Sequence, residues 1–464
     1  MLKHTTSLAS GLLLSCFTLT SLSASNSFNS SDSPIHWQAC SNHQNSKDYL
    51  CATLKLPLEY NQPELGNIDI YLTLYNPYHA QKVLLYNPGG PWLPVSELDL
   101  QPLFSQRLLK DYAILGFDPR GFGQSTRLNC HINERIYDQF AKVEALPQAI
   151  TGLIELRNQI YLSCQKHDNK LFTRMGTEYT LQDLEKIRQQ LNLGKINFLA
   201  QSYGTYLAEY YLAKYPQHVN KLVLDGVMGA DRNLYEANKT LAIADKESFD
   251  YAFDLCAKDT HCPIYPNPWI RFYQALTRVK YGEVYAHKRQ VLESDFLYRL
   301  MDFVNNEKDY DKIYLLIDKI MQKQNIDDLF DFSRNDQLAI QAAYSAVICQ
   351  DSYHLNFNSF LVFLNQPTFD AITKHMAIDF SLPCTGLWQN LMKASTKLSF
   401  TDDTPQILML ANHYDPQTPY VDAKAMHELI PHSTLVSYHG GGHCSYRLTQ
   451  DKSIDQNVDD YLLK

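Results

Sequence analysis

Hydrophobic positions in the first half of the chain follow a pattern that predicts strands separated by helices. Between residues 51 and 75 leucine and isoleucine recur at every second position around a polar turn at 61–66, so we expect two paired strands there. Short apolar runs predict four further buried strands, at 83–86, 112–117, 196–200 and 221–224. Because helical spacing of apolar residues separates several of these runs, the pattern favours an α/β fold. We expect a mostly parallel sheet with helices on both faces.

The pattern changes near residue 230. From 231 to 396 apolar, aromatic and charged residues recur at helical spacing without strand-like runs. Strand-like runs return at 406–411 and 434–438, and a helix is predicted over 421–429 between them. Because the strand pattern resumes, we interpret 231–396 as a helical cap inserted into the α/β core.

The N-terminus has the pattern of an export signal. Lys3 precedes an apolar stretch at 12–22 that is too short to span a bilayer, and small residues follow at 23–25. We expect cleavage near Ala24 and a periplasmic or secreted protein, with lipid anchoring through Cys16 as the weaker alternative. No later stretch predicts a membrane span, so we expect no stable membrane insertion. The predicted units are a signal peptide (1–24), an N-terminal tether and entry segment (25–50), a first core segment (51–230), the helical cap (231–396) and a second core segment (397–464).

Composition and cysteine content narrow the function class. A chain of 464 residues with 45% hydrophobic and 20% charged residues is typical of a globular protein with a large core. A net charge of −9 and the lack of any Lys/Arg-rich run argue against nucleic acid as a partner. We find no cysteine or histidine spacing typical of zinc sites, and we expect neither a metal nor a cofactor.

The cysteines of an exported protein are candidates for disulfides. Of the ten cysteines, Cys16 lies in the predicted signal and nine remain. Neighbours along the sequence form the pairs 40–51, 130–164, 256–262 and 349–384, which leaves Cys444 unpaired. Spacing does not fix connectivity, so these pairs are only the shortest closures and other pairings stay open.

The candidate chemistry begins where the apolar run at 196–200 ends. Gln-Ser-Tyr-Gly follows at 201–204, so Ser202 lies on a tight turn between a predicted strand and a predicted helix. Such a turn exposes the serine hydroxyl and aims the backbone N–H of Tyr203 at the position of an oxyanion. Ala200 stands where the usual Gly-x-Ser-x-Gly pattern begins. The pentapeptide alone therefore does not distinguish a nucleophile from an ordinary serine turn.

Two later loops supply what a serine nucleophile needs. Asp415 follows the predicted strand at 406–411, and His443 follows three glycines after the run at 434–438. A histidine can take the proton of Ser202, and a buried carboxylate then fixes its tautomer and stabilises the imidazolium. We therefore predict Ser202, Asp415 and His443 as a catalytic triad.

Each member of this triad except the serine has a competitor. Asp225 also ends a predicted strand and is the alternative acid, although its surroundings are more typical of a turn that begins the cap. His439 is the alternative base, but it precedes the glycines. A metal pair of His439 and His443 needs a helix at their four-residue spacing, which the glycines at 440–442 oppose.

The turn at 87–92, Asn-Pro-Gly-Gly-Pro-Trp, ends another predicted strand. Its glycines let the backbone approach a substrate, so an N–H of Gly90 or Trp92 would complete an oxyanion hole with Tyr203. Pro91 has no N–H to donate. Arg120, in the Asp-Pro-Arg-Gly-Phe-Gly stretch, is expected to brace loops and not to take part in chemistry.

Together these motifs resemble the tripeptidyl aminopeptidase and prolyl aminopeptidase group of secreted, disulfide-bearing α/β-hydrolases. The matching stretches occur in order over nearly the whole mature chain, at 51–60, 87–91, 118–125, 201–205, 222–227, 415–419 and 442–443. The resemblance implies a serine exopeptidase that releases residues or short peptides from peptide substrates with a free N-terminus. The chain order serine, aspartate, histidine is the one that this fold uses.

Three residues depart from the pattern of that group, namely Ala200, Trp92 and Cys444. Trp92 would narrow the mouth beside the oxyanion hole, which puts the substrate preference in question more than the chemistry. An aminopeptidase also needs a carboxylate for the substrate ammonium, and three acidic residues just after the cap begins are candidates: Glu236, Asp245 and Glu247.

Two other functions stay open. An esterase or thioesterase would use the same triad, because the cap sets selectivity. A catalytically inactive binding protein on a hydrolase scaffold is the second alternative, and the intact serine, aspartate and histidine argue against it. The sequence does not indicate an oligomeric state.

Overall fold

The computed structural model of the protein describes residues 35–41, 47–132, 150–229, 234–330, 337–353, 372–374, 382–393 and 397–464. The predicted signal peptide, with its cleavage site near Ala24 and the alternative anchor Cys16, lies outside these residues.

The predicted strands form one large sheet. Its members in chain order are β1 (Gln38–Ala39), β2 (Tyr49–Pro57), β3 (Asn67–Tyr75), β4 (Lys82–Asn87), β5 (Tyr112–Phe117), β6 (Ile196–Gln201), β7 (Val219–Asp225), β10 (Ile407–Tyr414) and β11 (Ser433–Gly441), while β8 (Tyr285–Ala286) and β9 (Arg289–Gln290) form a separate hairpin. The order across the sheet is β1-β2-β3-β5-β4-β6-β7-β10-β11. Pairing is antiparallel from β1 to β5 and parallel from β5 to β11. The prediction of a mostly parallel sheet is confirmed.

The helices of the described residues are α1 (Gln106–Asp111), α2 (Ile150–Phe172), α3 (Thr177–Gln190), α4 (Tyr203–Lys214), α5 (Leu234–Lys258), α6 (Pro268–Lys280), α7 (Glu293–Val304), α8 (Tyr310–Met321), α9 (Gln337–Asp351), α10 (Tyr420–Leu429) and α11 (Lys452–Leu463). One face of the sheet packs on α1 and α11, and the other packs on α2, α3, α4, α9 and α10. Because both faces are covered, the central strands are apolar at consecutive positions and do not alternate.

Two packing environments occur within the predicted cap segment 231–396. Helices α5 to α8 share a hydrophobic cluster of their own, whose members lie between Phe249 and Ile372 in the sequence. Helix α9 instead contributes Ala346 and Val347 to the cluster on the face of the main sheet. A helical pattern is the same in either environment, so the sequence did not separate the two.

The N-terminal end of the sheet lies earlier than the predicted boundary at residue 51. Gln38 and Ala39 of β1 pair with Cys51 and Leu50 of β2, inside the segment interpreted as a tether. The Cys40–Cys51 disulfide links the same two strands. Strand β1 has only two residues, so it shows no recognisable alternation of apolar and polar positions in the sequence.

Four disulfides cross-link the described residues, and they are the four expected pairs: Cys40–Cys51, Cys130–Cys164, Cys256–Cys262 and Cys349–Cys384. Cys444 is buried as a free thiol. Within the part of the chain that the structure describes, no helix combines the length and the apolar character needed to cross a bilayer.

Candidate active site

Ser202 lies at the junction of β6 and α4 with φ 55° and ψ −130°. A positive φ is uncommon for any residue other than glycine and marks a strained turn. The N–H of Ser202 donates to the carbonyl of Asp225 at 3.0 Å, and the N–H of Thr205 donates to the carbonyl of Ser202 at 2.8 Å. The turn is therefore held on both sides in the conformation of a nucleophile elbow.

Close backbone approach around this turn requires glycine at two positions. A Cβ on Gly204 would lie 2.6 Å from the carbonyl oxygen of Asn87, and a Cβ on Gly89 would lie 2.6 Å from that of Gln201. Ala200, in contrast, is fully buried in the core cluster of the sheet. The departure from glycine at residue 200 is accommodated because the tight contacts lie at 89 and 204.

His443 and Asp415 form the predicted pair. His443 Nδ1 lies 2.9 Å from Asp415 Oδ1 and 3.1 Å from Oδ2, and the Asp415 side chain is fully buried. Four other groups donate to the same carboxylate: the N–H groups of Gln417, Thr418 and Cys444, and the hydroxyl of Thr418.

Each member of this pair stabilises the charged form of the other. Burial alone would raise the pKa of Asp415, but His443 and the surrounding donors hold that pKa below its ordinary value. Burial would lower the pKa of His443, and the neighbouring carboxylates of Asp415 and Asp225 raise it above its ordinary value. The pair is thus arranged to stabilise an imidazolium.

The structure brings Ser202 and His443 to the same end of the sheet without joining them directly. Within the described residues, the hydroxyl of Ser202 has no hydrogen bond to the imidazole of His443. The thiol of Cys444 lies 3.7 Å from His443 Nε2 and donates to the carbonyl of Asp225 at 3.4 Å. Long catalytic contacts are common in the absence of substrate, so this geometry is compatible with proton transfer after substrate binds.

Asp225, the alternative acid, binds the main chain of the histidine loop and not the imidazole. Its carboxylate accepts from the N–H groups of Ser445 at 2.7 Å and Tyr446 at 3.0 Å, and from Gln201 Nε2 at 2.8 Å. Burial raises the pKa of Asp225 to about 6, against these donors. The alternative base, His439, is exposed on β11 and stacks on His413 at 3.8 Å.

Comparison with known proteins gives the family of this chain. The model of the alpha/beta hydrolase fold family matches residues 82–447. The chain belongs to the alpha/beta hydrolase family. Tripeptidyl aminopeptidase from Streptomyces lividans is 24% identical over 92% of this chain and 84% of its own length. Serine protease Hip1 from Mycobacterium tuberculosis is 27% identical over 51% of this chain and 47% of its own. Among solved structures, an esterase from Exiguobacterium antarcticum superposes with a TM-score of 0.38 at 12% identity, over 86% of this chain and 97% of that one.

These findings confirm the predicted fold class and the resemblance to tripeptidyl aminopeptidases. They identify the protein as a hydrolase of the alpha/beta hydrolase family with peptidase relatives.

The predicted oxyanion hole of this α/β-hydrolase lies where loop 87–92 meets the elbow. A Cβ on Gly89 would lie 2.9 Å from the backbone nitrogen of Tyr203, so this loop touches the first turn of α4. Trp92 is 38% exposed and packs edge-on against Tyr344 of α9, with ring centroids 5.2 Å apart. The donor roles of Gly90, Trp92 and Tyr203 stay predictions.

Three contacts at or beside the site were not foreseen because they come from segments predicted as cap. The hydroxyl of Tyr203 donates to Asp351 at the end of α9, at 2.6 Å. The N–H of His443 donates to the carbonyl of Asn305, in the loop between α7 and α8, at 2.7 Å. In the same loop Glu307 accepts from the hydroxyl of Tyr438 of β11 at 2.6 Å. The cap of this α/β-hydrolase therefore contacts the segment that carries the histidine.

Asn412 is a further residue whose role the sequence did not reveal. It lies in β10, and its Nδ2 donates to the carbonyls of Gly442 and Cys444, at 2.8 Å each. The described hydrogen bonds of Arg120 go to Asp183 and to the carbonyls of Pro57, Leu58 and Arg174, and not to the triad residues. Arg120 is fully buried and pairs through two hydrogen bonds with Asp183, at 2.7 and 2.8 Å.

Proposed function

We propose that this α/β-hydrolase is an exported serine exopeptidase that releases N-terminal residues or short peptides through an acyl-enzyme. The observation that carries the proposal is the hydrogen bond between His443 and the buried Asp415, at the same end of the sheet as the strained turn of Ser202. The peptidase names of the two relatives support peptides as the substrate class.

In the proposed mechanism His443 Nε2 takes the proton of Ser202 as its oxygen attacks the scissile carbonyl. The N–H groups of Tyr203 and of the loop at Gly90 and Trp92 donate to the oxyanion. His443 then protonates the leaving amine, and the N-terminal part of the substrate stays bound to Ser202 as an ester. Water activated by His443 hydrolyses that ester. Asp415 holds the imidazole and stabilises its charged form throughout.

We further propose Asp245 as the partner of the substrate ammonium. Among the three candidates, Glu247 is exposed and the side chain of Glu236 lies outside the described residues. The carboxylate of Asp245 is fully buried, and neither oxygen has a hydrogen-bond partner among the described residues. Burial and the nearby Asp415 raise its pKa well above the ordinary value and favour the neutral carboxyl, and a substrate ammonium beside it would stabilise the carboxylate instead.

We also propose export to an oxidising compartment. Four disulfides in the described residues support it, because such bonds persist outside the reducing cytosol. Mass spectrometry of the N-terminus after expression of the full chain tests the proposal. Cleavage near Ala24 is expected. A mature N-terminus that begins with lipidated Cys16 would instead indicate a protein anchored to the membrane by lipid.

One experiment tests the mechanism and the substrate class together. The pure protein and its Ser202→Ala variant are treated with a fluorophosphonate probe, and hydrolysis of free and N-blocked peptide amides and of a short-chain ester is measured. We expect labelling of the wild type only, and faster cleavage of the free peptide amides than of the blocked ones. In Asp245→Asn, labelling should persist while the preference for free N-termini falls by about tenfold or more.

The other outcomes select the alternatives. Labelling that survives Ser202→Ala, or no labelling at all, contradicts the serine mechanism and favours a binding protein. Cleavage of the ester without the amides selects the esterase. Equal rates on free and blocked peptides contradict the exopeptidase, and an unchanged preference in Asp245→Asn removes that residue from ammonium binding.

A further inference from the structure

Asp225 is hydrogen-bonded to both segments that must meet for catalysis. Its main-chain carbonyl accepts from the N–H of Ser202 at 3.0 Å. Its carboxylate accepts from the N–H groups of Ser445 and Tyr446, two and three residues after His443, at 2.7 and 3.0 Å. One residue at the end of β7 thus contacts the turn of the proposed nucleophile and the loop of the proposed base.

The surroundings of Asp225 make it a rigid anchor. Strand β7 is paired on both sides, with β6 and with β10, and Asp225 itself is fully buried. Gln201 Nε2 donates to its carboxylate at 2.8 Å, and the hydroxyl of Tyr86 donates to Gln201 Oε1 at 2.7 Å. Charge-assisted hydrogen bonds within a fully bonded, buried network resist displacement.

Among the described residues, Asn412 and Asn305 hold only the histidine loop, whereas the thiol of Cys444 also contacts the backbone of Ser202. Asn412 binds the carbonyls on either side of His443, and the carbonyl of Asn305 binds its N–H. None of these contacts of the two asparagines includes the turn of Ser202. Because Ser202 and His443 have no direct hydrogen bond to each other, their separation depends on residues that hold both.

We propose that Asp225 is a positioning residue that sets the distance between the hydroxyl of Ser202 and the imidazole of His443. The inference rests on the proposed serine mechanism. It differs from the role of Asp415, which contacts the imidazole itself.

The test is Asp225→Asn, which keeps the size of the side chain and removes one acceptor oxygen. The amide group would then face the N–H of Ser445 or of Tyr446 together with Gln201 Nε2, and the loop would shift. Since a misplacement of about 1 Å costs on the order of 10²-fold in rate, we expect that fall in kcat and in the rate of fluorophosphonate labelling. KM should change by no more than about threefold, because substrate contacts are retained.

A second readout is the acidic limb of kcat/KM against pH, which reports the pKa of His443 in the free enzyme. Among the described residues, the titratable groups that act on His443 are Asp415 and Asp225, and the thiol of Cys444 lies beside its ring. Asp245 is near enough to Asp415 to interact with it, and Glu307 of the cap loop bonds Tyr438 of β11. Removing the charge of Asp225 lowers the pKa of His443, so the limb should move to lower pH. This shift reports that the carboxylate of Asp225 lies close to the imidazole, whereas the fall in kcat at nearly unchanged KM is the readout that a merely structural role would not give.

Asp455→Asn is the matched control. Asp455 Oδ1 accepts from the N–H of Arg447 at 2.7 Å, in the same stretch of chain, without contact to the turn of Ser202. For Asp455→Asn we expect the kcat of the wild type and an acidic limb of kcat/KM at the same pH as in the wild type. Circular dichroism and urea unfolding check that both variants fold.

Each result has a fixed meaning. Wild-type kcat together with an unmoved acidic limb in Asp225→Asn overturns the inference. A fall in kcat of about 10⁴-fold in Asp225→Asn also overturns it if Asp415→Asn stays active, because Asp225 would then be the acid of the triad. If Asp225→Asn does not fold, Gln201→Met decides: a fall in kcat of about tenfold with unchanged KM supports the inference, and wild-type kcat overturns it. Failure of the wild type to label contradicts the proposed function instead, before any variant is compared.

Discussion

Asp225 and Asp415 are two buried carboxylates at the ends of neighbouring parallel strands, and their environments have opposite effects. The pKa of Asp415 is lowered, because the imidazole of His443 and several donors outweigh its burial. The pKa of Asp225 is raised to about 6, because burial outweighs the donors from Gln201 and the main chain. Position in the fold therefore does not assign a carboxylate its role. What decides is whether it binds the ring of the histidine or the backbone of the histidine loop.

The largest effect expected from this comparison is that of Asp415→Asn. An amide in place of the carboxylate favours the wrong tautomer of His443 and does not stabilise the imidazolium, so kcat on a peptide amide should fall by about 10⁴-fold. Steady-state kinetics with KM measured in parallel checks this. A variant with more than about a tenth of wild-type kcat would falsify the assignment of Asp415 as the acid.

The two carboxylates should also give opposite pH dependences of stability. The pKa of Asp225 is raised from 3.8 to about 6 by folding. Its contribution to the free energy of unfolding is therefore fully present below pH 3.8 and is lost as the pH rises to 6. A shift of that size corresponds to about 3 kcal/mol. The pKa of Asp415 is lowered by folding, so its contribution is present above the ordinary value and is lost as the pH falls.

Urea unfolding of Ser202→Ala protein between pH 4 and pH 6 measures this difference, because the contribution of His443, whose pKa both carboxylates raise, is lost only above its ordinary value of 6.5. Adding Asp225→Asn should reduce the loss of unfolding free energy over that range, whereas adding Asp415→Asn should not. The carboxyl group of Asp351, whose pKa burial also raises to about 6, contributes equally to all three proteins and cancels in the comparison. Identical slopes with and without Asp225→Asn would contradict the assigned shift.

A smaller effect is expected at Asn412, which holds the histidine loop but not the serine turn. Asn412→Ala frees the carbonyls of Gly442 and Cys444 and leaves the hydroxyl of Ser445 without its acceptor. We expect about 1–3 kcal/mol less unfolding free energy, because buried polar groups lose their partners. The fall in kcat should be smaller than in Asp225→Asn. A larger fall would mean that the loop alone determines the distance to Ser202.

The smallest effect is expected at Cys444. This residue has φ 63°, a conformation that favours glycine, so Cys444→Gly relieves backbone strain and loses a small amount of packing. We expect kcat within about threefold of wild type. Burial raises the pKa of the thiol well above its ordinary value, so iodoacetamide should modify Cys444 only after unfolding, as mass spectrometry would detect. Rapid modification of the folded protein would contradict the buried thiol.

The sequence predicted the strand ends well for a physical reason. Central parallel strands are buried on both faces, so runs such as 112–117 are continuously apolar and easy to recognise. Serine, aspartate and histidine at three such ends then pointed to one chemistry. The hydrogen bond between His443 and Asp415 agrees with that prediction, while the catalytic roles remain to be tested.

What the sequence did not reveal are contacts between segments that are distant along the chain. Asp225 was visible at a strand end, but only the structure shows that its carboxylate faces the N–H groups of Ser445 and Tyr446. Asn412 had no signal, because an asparagine within a strand is most often an ordinary polar residue. Helix α9 packs on the main sheet, although its sequence pattern is the same as that of a cap helix.

The hydrogen bond from the N–H of His443 to the carbonyl of Asn305 has a consequence for protein engineering. A cap is commonly treated as an interchangeable part that can be transplanted between enzymes to change selectivity. Here one acceptor for the histidine segment comes from the cap itself, and it is a backbone atom that no side-chain substitution can restore. A transplanted cap must therefore reproduce the turn at residues 305–307, or the recipient enzyme will lose catalytic rate along with its old selectivity.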